Sequence, residues 1–171
     1  MVQIVDQAMA EAVRRSGSWL ACRIGCHECC LGPFPITQLD ALRLREGLAE
    51  LQTDEPGRAA RVLRRARTSM ERALDETGED EPCPALDPET GACDLYAARP
   101  LTCRMFGPAV REPGGSSLAV CELCYRGATD EEIASCAVEI DPTLESDLLQ
   151  ELEKTTGARG DTTVALALCV T

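Results

Sequence analysis

Eleven cysteines, at positions 22, 26, 29, 30, 83, 93, 103, 121, 124, 136 and 169, dominate the chemistry open to this chain. They are not evenly spread. Cys26-x2-Cys29-Cys30 and Cys121-x2-Cys124 form two compact groups, with Cys83-Pro84, Cys93 and Cys103 between them. A Cys-x2-Cys turn lets two thiolates face one ion while backbone N–H groups of the turn donate to sulfur, which is why the pattern recurs at zinc and iron–sulfur sites. The two pairs supply Cys26, Cys29, Cys121 and Cys124, and the remaining loop cysteines supply Cys30, Cys83, Cys93 and Cys103. These eight candidate ligands would suffice for two centres. Neighbouring residues such as Cys29 and Cys30 are expected to direct their side chains apart and so to serve two adjacent centres rather than one. Four thiolates suit Zn2+ and an iron–sulfur cluster equally, so ligand type alone does not choose the metal.

The other chemistry-bearing residues are few. His27 is the lone histidine, and its place between Cys26 and Cys29 turns it away from the flanking thiolates, as an exposed loop residue. With one His there is no Ser-His-Asp arrangement to pursue, and there is neither a glycine-rich phosphate loop nor a dinucleotide fingerprint. Cys22-x3-Cys26-x2-Cys29 has the literal spacing of radical enzymes, but 171 residues are too few for the barrel that normally displays it. Cys136, on an amphipathic segment, and Cys169, in an apolar tail, read as buried small hydrophobes. Trp19 reads as a core anchor.

Charge and composition bound the partners. A formal charge of -12, from 17 basic and 29 acidic residues, argues against a nucleic-acid partner. Arg58, Arg61, Arg64, Arg65 and Arg67 form a local basic run, but Glu71, Asp75, Glu76, Glu79 and Asp80 follow directly, so a solvated helix face is expected. MVQIVDQAMAEAVRR carries Asp6 and Glu11 and lacks the apolar run of a secretory signal, and no stretch has the length of a membrane span. A cytoplasmic chain with no membrane partner is therefore expected, in which thiols stay reduced and a dense cysteine pattern reads as metal ligation.

The elements that must position these sulfurs are helical. Val2, Val5, Met9 and Val13 share one face of a first helix closed by Gly17, and the segment from Cys22 to Pro35 is a ligand loop. Thr37 with Asp40 has N-cap spacing and opens a helix to about Leu51; Asp54 is the N-cap expected for a longer one ending at Gly78, and the two form a helical hairpin. A second ligand loop follows from Glu79 to Cys103. PAVREPGGSSLAV suggests a small β-hairpin turning at Gly114 and Gly115. Thr129 with Glu132 forms a capping box, Asp141 with Pro142 is expected to start a helix stopped by Gly157, and the apolar end TTVALALCVT leans to helix. The fold class is thus mainly α, a small irregular domain of packed helices organised by metal, with two cysteine-rich loops and one short hairpin. One domain spanning 1–171 is expected. With aromatics at only 3%, metal binding would supply folding energy that the core lacks.

Two blocks carry a resemblance: CHECC at 26–30 and CPALDPETGACDLYAARPLTCRMFG at 83–107. They resemble the CxxCxxCC family of bacterial cysteine-cluster proteins, through Cys83, Leu86, Gly91, Cys93, Tyr96, Arg99, Pro100, Cys103, Arg104 and Phe106. The family has two residues between its first two cysteines where this chain has three, so Cys22 is not counted as a ligand. The resemblance implies chelation of zinc or iron, or an iron–sulfur cluster. A flagellin lysine methylase similar in this block uses an iron–sulfur centre, which tilts the choice toward a cluster of the 4Fe–4S kind, with zinc as the alternative. Tyr96, Arg99 and Arg104 are the residues expected to contact the cofactor, offsetting its negative charge. The function expected is electron transfer or service as an accessory to an enzyme, with an unknown protein partner or small-molecule substrate. The alternatives are an enzyme that binds substrate at an open cluster iron, and a zinc-binding structural or interaction module.

Overall fold

The computed structural model describes residues 1–23, 25–73, 81–111, 117–141 and 143–170. They divide into two compact units, residues 24–100 with 148–171 and residues 1–23 with 101–147. Each has its own core.

The first unit is built on α2 (Gln38–Asp54), α3 (Pro56–Ala73) and α7 (Val164–Cys169), which pack on one another. Thr37 caps α2 by accepting the Asp40 N–H, and Thr163 caps α7 by accepting from Leu166. Ala41, Leu44 and Leu48 of α2, Ala59, Val62 and Ala66 of α3, and Val164, Ala167 and Leu168 of α7 interlock in a core whose small α3 residues let the helices approach closely. The apolar tail is therefore a docked helix. Asp54 closes α2 instead of capping α3, because Pro56 takes the first position of α3, where its missing N–H costs nothing. Gly78, the expected stop of α3, lies outside the described residues. Gly47 matters for shape: a Cβ there would stand 2.3 Å from the Ala98 Cβ, so only glycine lets α2 close on the 3-10 turn at Tyr96–Ala98.

The second unit is built on α1 (Val2–Ser16), α4 (Leu101–Met105) and α5 (Asp130–Cys136). Val5, Met9 and Ala12 of α1 bury against Leu101 and Val138, and Thr129 and Glu132 form the capping box of α5. The hairpin strands are β1 (Val110–Arg111) and β2 (Leu118–Ala119), paired Val110 with Ala119; Gly114 and Gly115 lie outside the described residues. β3 (Val138–Glu139) adds to β1 in parallel, which local pattern could not announce because the pairing joins segments far apart in sequence. Asp141 does not cap a helix. Its carboxylate accepts the N–H and the hydroxyl of Thr143 in a tight turn, and α6 begins only at Ser146, running to Thr156 before Gly157. Among the described residues no helix is long and apolar enough to cross a membrane.

Candidate metal centre

In the first unit the two ligand loops are zipped together by their backbones. The Cys83 N–H donates to the Cys30 carbonyl at 2.6 Å, the Gly32 N–H donates to Glu81 at 3.0 Å, and Leu86 bridges Cys93. Cys29 and Cys30 lie in a 3-10 turn, Glu28–Cys30, held by the Cys30 N–H on the His27 carbonyl at 2.8 Å. This turn overturns the expectation that adjacent thiols point apart. Their sulfurs share a hydrogen bond, and both interact electrostatically with Cys83 and Cys93.

The four thiols differ in how readily they ionise. The Cys30 thiol donates to Cys29 and holds it down at about 6, assisted by its own backbone N–H and by the positive charge of Arg99. Cys30 moves the opposite way, raised first by that shared bond and then by burial and by Cys29, Cys83 and Cys93. Burial pushes Cys83 up to about 11, and burial also raises Cys93. Against burial, backbone N–H groups of Ala85 and Leu86 donate to the Cys83 sulfur, and that of Leu95 donates to Cys93. Donors two and three residues beyond a cysteine make a turn suited to a thiolate, as a metal ligand must be. The same turn occurs in the second unit, where Leu123 and Cys124 donate to Cys121.

The cationic support comes from residues that read as plain surface. Asp94, beside Cys93, has a side chain only 2% exposed and is gripped by two arginines of α3. Arg65 donates to its carboxylate at 2.5 Å and also to the Pro84 carbonyl at 2.8 Å; Arg58 bonds its other oxygen. The basic run is therefore a clamp at two of its five arginines. It fixes the residues next to Cys83 and Cys93, and the sequence signal that could have found it is the i, i+7 spacing of Arg58 and Arg65 opposite an acidic residue adjoining a ligand. Arg99 lies over the exposed Tyr96 ring, its guanidinium carbon 3.8 Å from the ring centroid, and its charge reaches Cys29 and Cys93. Arg104 is occupied differently: it is buried in the second unit and holds both carboxylate oxygens of Asp6 at 2.9 Å. His27 is exposed and its Nδ1 lies 3.1 Å from the Gly25 carbonyl.

The eight candidate ligands thus divide by unit. Cys26, Cys29, Cys30, Cys83 and Cys93 belong to the first, and Cys103, in α4, with Cys121 and Cys124 to the second. Cys136 is buried and donates to the Arg15 carbonyl, and Cys169 packs on the first core, both as small hydrophobes; Trp19 packs against Tyr125 and its neighbours. No disulfide joins the described cysteines, and among the described residues no three His, Cys, Asp or Glu side chains already stand as they would around a bound ion. Soft donors with N–H groups aimed at sulfur fit a thiophilic metal. A pocket of about 470 Å³ opens beside them, lined by Phe34, Met70, Pro82, Cys83 and Val164 among others.

A family model described as "Putative zinc- or iron-chelating domain" matches residues 21–122, more than half of the chain. The chain belongs to the CxxCxxCC family. Membership makes it a cysteine-ligated metal-binding protein and leaves zinc and iron both open. No curated protein and no solved structure matches the chain.

Proposed function

We propose that Cys29, Cys30, Cys83 and Cys93 hold one metal centre, that the centre is an iron–sulfur cluster, and that the protein works in electron transfer or as an accessory to an enzyme. The observation that carries this reading is the backbone pairing of the two loops, with the Cys83 N–H on the Cys30 carbonyl at 2.6 Å and Leu86 bridged to Cys93, which brings the Cys29–Cys30 turn to the loop of Cys83 and Cys93. A cluster ligated by thiolates is anionic, and hydrogen bonds to its sulfurs together with nearby positive charge stabilise it and set its potential. Arg99 supplies that charge from one side. When bound, the cluster would supply one-electron chemistry and displace the thiol protons; the chain's own part is to hold the ligand loops in register and to direct backbone N–H groups at the Cys83 and Cys93 sulfurs. The test is anaerobic purification followed by visible absorption and iron and sulfide analysis. A coloured protein with stoichiometric iron and sulfide, lost together in Cys83→Ser, is expected; a colourless protein holding only zinc overturns the cluster.

A second reading, an enzyme that binds substrate at an open iron, is favoured by the pocket that has Cys83 in its wall. It requires that a small ligand entering the pocket perturb the visible spectrum and that Met70→Trp, filling the pocket, abolish the perturbation. An unchanged spectrum rejects it.

A further inference from the structure

Cys22, which departs from the family spacing, has a place of its own. Its sulfur lies 3.9 Å from that of Cys124, and Cys124 shares a thiol hydrogen bond with Cys121. This is a contact between two free thiols, not a bond. Two thiolates bound to one tetrahedral zinc at about 2.3 Å each stand about 3.8 Å apart, whereas a disulfide draws its sulfurs to about 2.05 Å. At 3.9 Å the two thiols need move little for one ion to bind both.

The surroundings are shaped to this arrangement. Gly107 has φ +112°, and a Cβ added there would come within 2.6 Å of the Cys22 sulfur, so any larger residue would evict the thiol. The Gly107 carbonyl accepts the Cys121 N–H at 3.3 Å, tying this cradle to the Cys121-x2-Cys124 turn. Beyond it, Tyr125 holds a positive φ of 56°, a strained state for a side-chain-bearing residue that persists only when its surroundings fix it. Its N–H donates to the Trp19 carbonyl at 2.8 Å, and its buried hydroxyl accepts the Ala109 N–H at 3.0 Å and lies 2.5 Å from the Ser16 hydroxyl. Three separate segments are thereby pinned around the three sulfurs.

We propose that Cys22, Cys121 and Cys124 form a second thiolate site, which takes a thiophilic divalent cation of the Zn2+ class and is distinct from the Cys29, Cys30, Cys83 and Cys93 centre. The three sulfurs are an edge and a neighbour and not a finished cage, so the ion draws the third thiol in as each gives its proton to solvent. The site does not depend on the other centre being an iron–sulfur cluster.

The test uses the full chain, purified anaerobically, stripped by a chelator under reducing conditions and titrated with Zn2+, with bound metal counted by native mass spectrometry. Cys22→Ser is expected to lose one zinc equivalent, or to bind it at least about tenfold more weakly, while keeping the metal that Cys83→Ser loses. Because Cys22 is exposed, helix content by circular dichroism should not change, and Cys22→Ala should behave alike. Full metal complement and affinity in both Cys22 variants overturns the proposal. So does loss of the same equivalent from Cys22→Ser and Cys83→Ser, shown by a double variant that loses no more than either single one. Absence of iron in the native protein would sink the cluster and leave this outcome intact.

Discussion

The two units solve the same problem, how to gather thiols, with different supports. In residues 24–100 with 148–171, a three-helix core carries the ligand loops and lends them charge: Arg58 and Arg65 grip Asp94 beside Cys93, and Arg99 reaches Cys29. In residues 1–23 with 101–147, the sulfurs of Cys22, Cys121 and Cys124 are set by a glycine cradle and a buried tyrosine network, and Arg104 is engaged by Asp6. The first arrangement places guanidinium groups where they can offset the charge of a thiolate-rich centre; the second relies on steric placement. An anionic cluster needs the former more than a single dication does, since Zn2+ brings positive charge of its own.

The largest expected effect breaks this contrast at its electrostatic end. Asp94→Ala leaves two partly buried guanidiniums without their shared partner and frees the loops at Cys83 and Cys93. The expected cost is about 3–5 kcal/mol, read by denaturant unfolding, together with loss of metal from the first centre. Asp6→Ala removes from Arg104 a half-exposed carboxylate, so about 1–3 kcal/mol is expected. Equal losses in the two variants would erase the distinction between the units.

Gly47→Ala comes next. The new Cβ must displace Ala98 or push α2 off the turn at Tyr96–Ala98, at about 1–3 kcal/mol of overpacking, seen as a lowered unfolding midpoint. Thr129→Ala removes the capping box of α5, costs about 1 kcal/mol, and should leave the metal content of the first unit untouched. Metal loss in that variant would mean that the units do not bind independently.

Proton linkage gives a graded test. Cys30, Cys83 and Cys93 are raised in the metal-free protein, Cys83 to about 11, so at neutral pH they are protonated and must release protons when metal binds. Zinc affinity of the first centre should therefore rise with pH across the neutral and mildly alkaline range, by up to about tenfold per pH unit for each proton released. Cys29, held at about 6, contributes below that window and little above it. Isothermal titration in buffers of different ionisation enthalpy counts the protons; a flat affinity from pH 7 to 9 would contradict the assignment of these thiols as ligands.

Much of the helical framework was legible in short-range pattern. The Thr37 and Thr129 caps and the Gly157 stop each depend on residues within a few positions of one another, and each formed as expected; the apolar face of α1 held at Val5 and Met9, while Val13 is exposed and Ala12 is buried instead. Where the reading failed, a nearby competitor won: Pro56 took the start of α3 from Asp54, and the Thr143 turn took Asp141 from α6. The pairing of Cys29 with Cys30 turned on a single 3-10 turn that spacing could not reveal.

Cysteine spacing, capping residues and apolar periodicity are local properties written in neighbouring positions, and they suffice to mark a thiol-rich, mainly helical chain of the CxxCxxCC family. Long-range packing sets how the sulfurs are shared out. It set Cys29 and Cys30 with Cys83 and Cys93, turned two partly buried arginines of α3 into a clamp on Asp94, and brought Cys22 to Cys124, 102 residues away. Contacts of that separation follow from which helices pack and which loops close, and no short window of residues contains them.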